Sequence, residues 1–238
     1  MPENLLRYAY WQFRDFIRER GIALLIVGSL LGLMTVAPMR AMMNGNIDET
    51  DARRILLLIL PQLVFIASFI VFNGIVSTDR KNGYYRFLFS KPVSIPAYYA
   101  QHFVVYFIGF MAVFCILYGV FAFFMKPVSA VGTLASCALV YLSLGGIAFF
   151  ISSLFRWDWP ILAGVYLGSA VINAIWAGRE GWRMVVRDML PPMQKLNPAM
   201  NDLINYGTVD TTAVLWLLGY SALFFVAGLV VLWRRPIG

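Results

Sequence analysis

The sequence predicts an all-α polytopic membrane protein, and its composition and its charge pattern support this fold class. Of the 238 residues, 61% are hydrophobic and 13% are charged, and this charged fraction is about half that of ordinary soluble domains. A helix of about 20 apolar residues crosses the roughly 30 Å of hydrocarbon in a bilayer. Segments without Asp, Glu, Lys or Arg long enough for this are 21–39, 55–78, 92–125, 127–155, 159–178 and 211–233. We therefore predict six transmembrane helices, at about 21–39, 55–78, 102–125, 128–155, 159–178 and 211–233.

Residues 1–20 predict an amphipathic helix before the first span. Apolar residues at helical spacing form one stripe, namely Leu5, Leu6, Ala9, Phe13, Phe16 and Ile17. Arg7, Arg14 and Arg18 fall on another stripe. Such a helix lies in the headgroup plane with its apolar face toward the lipid. Two roles are open for it: a surface anchor, or a lever that pushes on the first span when a partner moves.

The distribution of basic residues predicts the orientation of the chain. Six crossings place both termini on one side, where eleven Lys and Arg residues fall, against eight on the other side. Because short cytoplasmic loops carry the excess of basic residues, we expect both termini in the cytoplasm. The segments 40–54 and 179–210 then lie outside. Pro191, Pro192 and Pro198 divide the second of these into two short helices on or in the outer leaflet. The inner basic residues are dispersed, so no nucleic-acid partner is expected.

Small and amide residues within the spans are candidates for helix contacts or for a transport pathway. They are Gly28, Gly32, Gln62, Asn73, Gly164, Gly168 and Asn173. Glycines four residues apart allow close helix approach, although glycine is common in membrane helices without marking an interface. Each amide either makes an interhelical hydrogen bond or contacts a substrate. Pro61 predicts a kink in the second span.

The sequence lacks the residues that several kinds of chemistry require. Its one histidine, His102, cannot build a zinc site of the HExxH type, and no GxxxxGK phosphate-binding loop is present. No nucleophile motif accompanies His102, which is expected at the membrane interface. No charged residue lies in the six segments, which disfavours a proton-coupled carrier. We therefore predict no catalytic residue, metal site or cofactor in this chain, and are left with a channel, a scaffold or a pore driven by another protein.

The predicted inner loop 79–99 carries the most specific signal. The eight residues between Gly83 and Pro92 include four aromatics and could form about two helical turns. Aromatic and arginine side chains are enriched at the energetic centres of protein interfaces. An aromatic belt at the membrane surface is the alternative. The loop is thus a candidate docking segment for a cytosolic partner.

This loop resembles the coupling segment of ABC-transporter permeases of the type-2 exporter family. The family pattern runs roughly E-x-x-x-G-[ST]-L-x-x-L-L-[ST]-x-P-[VI]-[ST]-R. Asp79, Gly83, Phe87-Leu88-Phe89-Ser90 and Pro92-Val93-Ser94 fall on it. Asp79 stands where glutamate is usual, and Tyr84-Tyr85 replace a small residue and leucine. The N-terminal helix, the six spans, the LNP at 196–198 and the terminal Arg234-Arg235 are also similar to the family.

The resemblance implies the type-2 ABC exporter membrane-domain architecture. It implies a permease subunit in a bacterial-type inner membrane, paired with a second copy of itself or a related permease. A separate ABC ATP-binding subunit would carry ATP and Mg. The residues that would couple to it are Asp79, Gly83, Tyr84, Tyr85, Arg86, Phe87, Leu88, Phe89, Lys91 and Pro92. The alternatives are a non-transport scaffold that recruits a cytosolic partner through the same loop, and an intramembrane enzyme.

Overall fold

The computed structural model describes residues 2–45, 62–82, 94–122, 129–155, 158–178, 180–189 and 193–234. Throughout these ranges the regular elements are helices. They are α1 (Pro2–Phe16), α2 (Ile22–Met43), α3 (62–72), α4 (Ser77–Asn82), α5 (Ile95–Ala122), α6 (Ala130–Leu154), α7 (Asp158–Ile175), α8 (Trp182–Met189), α9 (Met193–Tyr206) and α10 (Thr211–Arg234). A turn of π-helix, Ile17–Gly21, joins α1 to α2.

Among the described residues, five helical segments are long and apolar enough to cross a membrane. They are Gln62–Asp79, Ile95–Val120, Ala130–Leu154, Asp158–Ile175 and Thr211–Arg234. Each corresponds to one of the spans predicted from the sequence, and together they give the architecture of an all-α integral membrane protein. The remaining predicted span, 21–39, falls within the 22-residue helix α2. The total of six crossings stays a prediction.

The helix α5 begins earlier than the predicted span 102–125. It starts at Ile95, and Pro96 is tolerated there because a first-turn residue has no intrahelical partner for its backbone nitrogen. Its 28 residues extend over roughly 42 Å, more than the hydrocarbon thickness. The predicted loop 79–99 is therefore partly helical: 79–82 belong to α4 and 95–99 to α5, while 83–93 lie outside the described residues.

The helix α6 is buried along most of its length and forms the centre of the bundle. Small residues allow this. A Cβ on Gly146 would collide with the backbone carbonyl of Ser221 on α10, and a Cβ on Gly132 would collide with that of Leu203 on α9. Close backbone approach of this kind is how membrane helices associate without a hydrophobic driving force. The glycines of α6 therefore set its spacing from α9 and α10.

The N-terminal helix packs lengthwise against α5. The rings of Tyr8 and Tyr98 lie 6.0 Å apart, and the amide of Gln12 donates to the carbonyl of Tyr98 at 3.4 Å. Further along both helices, the rings of Phe16 and Tyr106 lie 5.1 Å apart. Because these contacts advance together along the two helices, α1 runs beside the first half of α5. Its expected position in the headgroup plane stays a prediction.

The segment 179–210, which was predicted to lie outside, contains α8 and α9, which differ in their packing. The side chains of α8 from Trp182 to Val186 are exposed. In contrast, α9 buries one face against the bundle, with Leu196, Ala199, Met200, Leu203 and Ile204. Pro198 lies inside α9 rather than at a helix boundary. It was expected to interrupt this helix, but α9 continues through it, and the missing N–H of proline costs one intrahelical hydrogen bond.

Candidate functional site at an interrupted membrane helix

The second span is interrupted near its C-terminal end. The helix α3 ends at Phe72, residues 73–76 form a turn, and α4 begins at Ser77. Gly74 has a φ of +78°, a left-handed conformation that glycine adopts without steric cost. A Cβ at this position would also collide with Oγ1 of Thr78. An interruption frees backbone N–H and C=O groups, which must find other partners in the membrane interior.

A buried carboxylate and a serine bind the N–H groups on the α4 side. The N–H of Gly74 donates to Oδ2 of Asp158 at 2.9 Å. The N–H groups of Val76 and Ser77 donate to Oγ of Ser152 at 3.0 and 3.2 Å. The Ser152 hydroxyl in turn donates to Oδ2 of Asp158 at 2.8 Å. Asp158, at 3% exposure, is thus stabilised by donors from two other helical segments.

A buried guanidinium binds a carbonyl on the α3 side. Arg20, in the π-helical turn, is 8% exposed, and its Nη1 donates to the carbonyl of Val71. The guanidinium carbon lies 4.8 Å from the ring centroid of Tyr106, which is within the range of a cation–π contact. A cation thus faces the carboxyl end of α3 and an anion faces the amino end of α4, the arrangement that helix dipoles favour.

The π-helical turn explains how an arginine next to a membrane span becomes buried. Ile17–Gly21 adds residues to one turn, which changes the direction of the side chains after it. Arg18 and Glu19 are exposed, whereas Arg20 and Gly21 are buried. Single turns of π-helix occur frequently at functional sites.

Aromatic side chains connect α4 to α5 next to the interruption. The hydroxyl of Tyr99 donates to Oδ2 of Asp79 at 3.1 Å. The imidazole of His102 packs on the Tyr106 ring with a centroid distance of 4.0 Å, and its nitrogens have no hydrogen-bond partner among the described residues. His102 is therefore a buried member of this aromatic cluster, and its expected depth at the membrane interface stays a prediction. The helices α4 and α5 precede and follow 83–93 in the sequence.

Of the residues expected to couple to a partner, Asp79 lies in the described part of the chain, in α4 beside the interruption. The others lie outside the described residues: Gly83, Tyr84, Tyr85, Arg86, Phe87, Leu88, Phe89, Lys91 and Pro92. Asp79 stands near the C-terminal end of the second span and is bound to Tyr99. The six residues of α4, about two helical turns, therefore separate the interruption from 83–92.

The glycines singled out in the sequence fall in two different environments. Gly28 packs so closely on α5 that a Cβ would collide with Leu117, and Gly32 is buried. No described atom lies within 4 Å of the position of a Cβ on Gly164 or Gly168. Within the described ranges, a Cβ added at either glycine of α7 would thus meet no neighbouring span. A contact with a second subunit stays a prediction.

The amide side chains are also separated in the structure. Asn73 is exposed at the interruption, where its N–H donates to the carbonyl of Phe69 at 3.1 Å. Asn173, in α7, is half-buried, and its Oδ1 has no hydrogen-bond partner among the described residues. Gln62 is exposed at the beginning of α3 and borders a groove. The structure does not bring the three amides together.

The groove lies between α3, α7 and α9 and has a volume of about 760 Å³. It is lined by Gln62, Phe65, Ile66, Phe69, Ile70, Trp159, Ala163, Tyr166, Leu167, Ala170, Asn197, Met200 and Asn201. Apolar side chains form most of the wall, and amides from α3 and α9 supply polar groups. A cavity of this size and lining can accommodate an apolar or amphipathic molecule.

Sequence reasoning did not identify Arg20, Ser152 or Asp158 as site residues. In particular, no role was assigned to Arg20 or Asp158. Both residues directly precede a charge-free segment, 21–39 and 159–178 respectively. A charged residue immediately beside a membrane span was the available signal. Their burial depends on contacts with the second span, far away in the sequence.

The fold and this site define an all-α integral membrane protein with an interrupted span held by opposite charges. The sequence matches no protein-family model, and it matches no curated protein.

Proposed function

We propose that this chain is the membrane-spanning permease subunit of an ATP-driven ABC exporter of type-2 architecture. It crosses the cytoplasmic membrane six times, with α2 as the first span and both termini in the cytoplasm. It pairs with a second copy of itself or a related permease. Each permease docks through 83–92 on a separate ABC subunit that binds ATP and Mg.

The observation that carries this proposal is the interruption at Gly74 and its position. The segment expected to dock follows α4 directly, and α4 is separated from the rest of the span by the interruption. Residues from three other parts of the chain bind this region: Arg20, Ser152 and Asp158. A partner that moves the segment would therefore act on a discrete element linked to the beginnings of α2 and α7. Coupling between two sites requires such an element.

The groove between α3 and α7 supports a cargo with a substantial apolar part. Its aromatic and aliphatic walls suit a lipid-linked molecule, an apolar peptide or another amphipathic compound better than a small ion. The resemblance to the exporter family places the pathway along the first, second and fifth spans. The helix α3 belongs to the second span, and α7 forms the fifth.

Co-expression with a candidate ATP-binding subunit tests the proposal. The partner is a protein encoded next to this chain that carries GxxxxGK[ST] and the ABC signature. We expect the two proteins to co-purify and to hydrolyse ATP, and we expect replacement of the partner's motif lysine to abolish hydrolysis. Mass spectrometry of co-purified material would identify the cargo class.

The outcomes separate the proposal from its alternative. A stable complex that hydrolyses ATP but moves none of the co-purified compounds in inverted vesicles would indicate a scaffold. Failure of the folded chain to bind any such partner would contradict the permease assignment.

A further inference from the structure

We infer that the interruption at Gly74 is a two-state hinge, and that Asp158 and Arg20 are the positioning residues that hold it in the broken state. This inference rests on the proposed function, since it assigns the movement to a partner that binds 83–92. In the second state α3 and α4 form one continuous helix. The hinge converts displacement of the docking segment into a change in the second span.

The two states exchange one set of hydrogen bonds for another. In the broken state the N–H groups of Gly74, Val76 and Ser77 are bound by Asp158 and Ser152. In a continuous α-helix each N–H bonds the carbonyl four residues earlier, which would be that of Ile70, Phe72 or Asn73 respectively. Three bonds are lost and three are formed. Neither state therefore leaves these buried donors unpaired, which would be costly in a membrane.

The carbonyl of Val71 gains a second donor in the same step. It accepts from Arg20 in the broken state. In a continuous helix it would also accept from the N–H of Ile75, because a carbonyl oxygen has two lone pairs. Straightening the helix thus takes the N–H of Gly74 away from Asp158 and makes the bond from Arg20 to Val71 one of two.

The change in backbone conformation between the two states takes place at Gly74, and glycine allows it. Gly74 has a left-handed φ in the broken state and would need a right-handed helical φ in the continuous one. Glycine populates both regions readily, whereas any other residue strongly prefers the second. The six-residue helix α4 carries the docking segment at its end, so a displacement there reaches Gly74 through two turns of helix.

The charged residues transmit the hinge state to two other spans. Arg20 is continuous with α2 through the π-helical turn, and Asp158 is the first residue of α7. Oδ1 of Asp158 also accepts from the N–H of Trp159, its neighbour in α7, at 3.0 Å. When the second span straightens, the beginning of α7 loses its bond to Gly74, and the beginning of α2 shares the carbonyl of Val71 with the N–H of Ile75.

Nuclear magnetic resonance of the chain alone, labelled at glycine and placed in lipid nanodiscs, tests the role of Asp158. The Gly74 signal is assigned by its absence in Gly74→Ala. We expect Asp158→Asn to move the Cα chemical shift of Gly74 toward the helical value. The reason is that asparagine has an NH₂ group, which cannot accept a hydrogen bond, in place of one carboxylate oxygen. The control is Asp210→Asn, an exposed carboxylate that binds the N–H of Thr212 at 3.0 Å. An unchanged Gly74 signal in Asp158→Asn would overturn the inference.

A reversible cross-link in the complex tests whether the hinge must open. Val76→Cys and Ser152→Cys are combined in a Cys115→Ala, Cys137→Ala background and oxidised. We expect transport of the co-purified cargo to fall by at least about fivefold, the lower end of typical coupling effects, and to recover on reduction. Each single cysteine variant, oxidised in parallel, is the control. Normal transport by a chain shown by mass spectrometry to be fully cross-linked would contradict the hinge.

The two experiments separate the hinge from the proposed function. The resonance measurement needs no partner, so it decides whether Asp158 holds Gly74 even if the chain is not a permease. When Gly74 responds to Asp158→Asn but no ATP-binding subunit binds, the proposed function fails and the hinge stands as a local property. When the complex transports cargo with the cross-link closed, the hinge fails and the permease assignment stands.

Discussion

Asp158 and Arg20 bind the same span from opposite ends of its interruption. The carboxylate of Asp158 accepts from the N–H of Gly74, and the guanidinium of Arg20 donates to the carbonyl of Val71. The carboxyl end of α3 leaves carbonyl groups without donors, and Arg20 donates to one of them. The amino end of α4 leaves N–H groups without acceptors, and Asp158 accepts from one of them. The second span therefore depends on both residues for its conformation, although neither belongs to it.

Removing the guanidinium should destabilise the bundle. We expect Arg20→Met to lower the free energy of unfolding by about 1–3 kcal/mol, because it leaves the carbonyl of Val71 without its side-chain donor. Methionine keeps much of the packing against Tyr106. The measurement is thermal unfolding in detergent, compared with Arg18→Met, which removes an exposed arginine two residues away. Equal stability of the two variants would show that the buried contact contributes little.

Aspartates in the docking segment should disrupt binding of the ATP-binding subunit. Changing Phe87 and Leu88 together to Asp replaces two apolar side chains of the kind that anchor interfaces. We expect a loss of a few kcal/mol, which corresponds to roughly a hundredfold weaker complex. Affinity is measured by co-purification and by titration of the purified subunits. The matched control changes Thr211 and Thr212, exposed at the beginning of α10, to Asp.

An undiminished yield of complex from the folded Phe87 and Leu88 variant would contradict the docking assignment. A weaker complex in the Thr211 and Thr212 control would instead indicate that two added negative charges disturb the protein in general.

Five of the described spans were predictable because length and hydropathy determine them. A charge-free segment of about 20 residues has few stable alternatives in a bilayer, since every backbone group must be paired. The position of the interruption was not predictable in this way. Pro61 was the expected site of a kink and lies outside the described residues, whereas the interruption is at Gly74. Its partner, Asp158, lies 84 residues away in the sequence.

The small-residue contacts were only partly predictable for a related reason. The spacing of Gly28 and Gly32 or of Gly164 and Gly168 identifies faces, but it does not identify what each face meets. No glycine stands four residues before or after Gly146 in the sequence, and yet Gly146 lies against the backbone of Ser221. Which glycine carries a contact depends on how the helices are arranged around α6.

A side chain at Gly146 should prevent normal packing of α6 and α10. We expect Gly146→Leu to destabilise the fold by at least about 1–3 kcal/mol, because the added atoms would overlap the carbonyl of Ser221. The measurement is the fraction of monodisperse protein after gel filtration together with its unfolding temperature. Gly219→Leu is the matched control, since no described atom lies within 4 Å of a Cβ there. Similar behaviour of the two variants would argue against a tight contact.

Cysteine labelling should establish the orientation of the chain. We expect Asn46→Cys and Asn201→Cys to react with an impermeant thiol reagent in intact cells, because both lie in segments predicted outside. Asn82→Cys should react only after permeabilisation. A Cys115→Ala background removes the exposed native cysteine. Labelling at Asn82 in intact cells, with none at the other two positions, would invert the topology and remove 83–92 from the cytoplasm.

The open face of α7 should contact a second subunit. Gly164 and Gly168 lie one helical turn apart, and no described atom of this chain lies within 4 Å of a Cβ on either. We expect replacement of both by Leu to abolish pairing of the permeases, because added side chains force the backbones apart. Leucine favours membrane insertion, so insertion should be normal. Pairing is measured by cross-linking in membranes and by the mass of the purified complex.

The control for this experiment replaces Gly119 and Gly219 by Leu. These glycines also have no described atom within 4 Å of a Cβ, but they lie on α5 and α10. Loss of pairing only in the Gly164 and Gly168 variant would identify α7 as the interface, because insertion and side-chain volume are matched. Normal pairing and normal transport by that variant would show that its glycines face lipid, since lipid chains adapt to a leucine where a second helix backbone cannot.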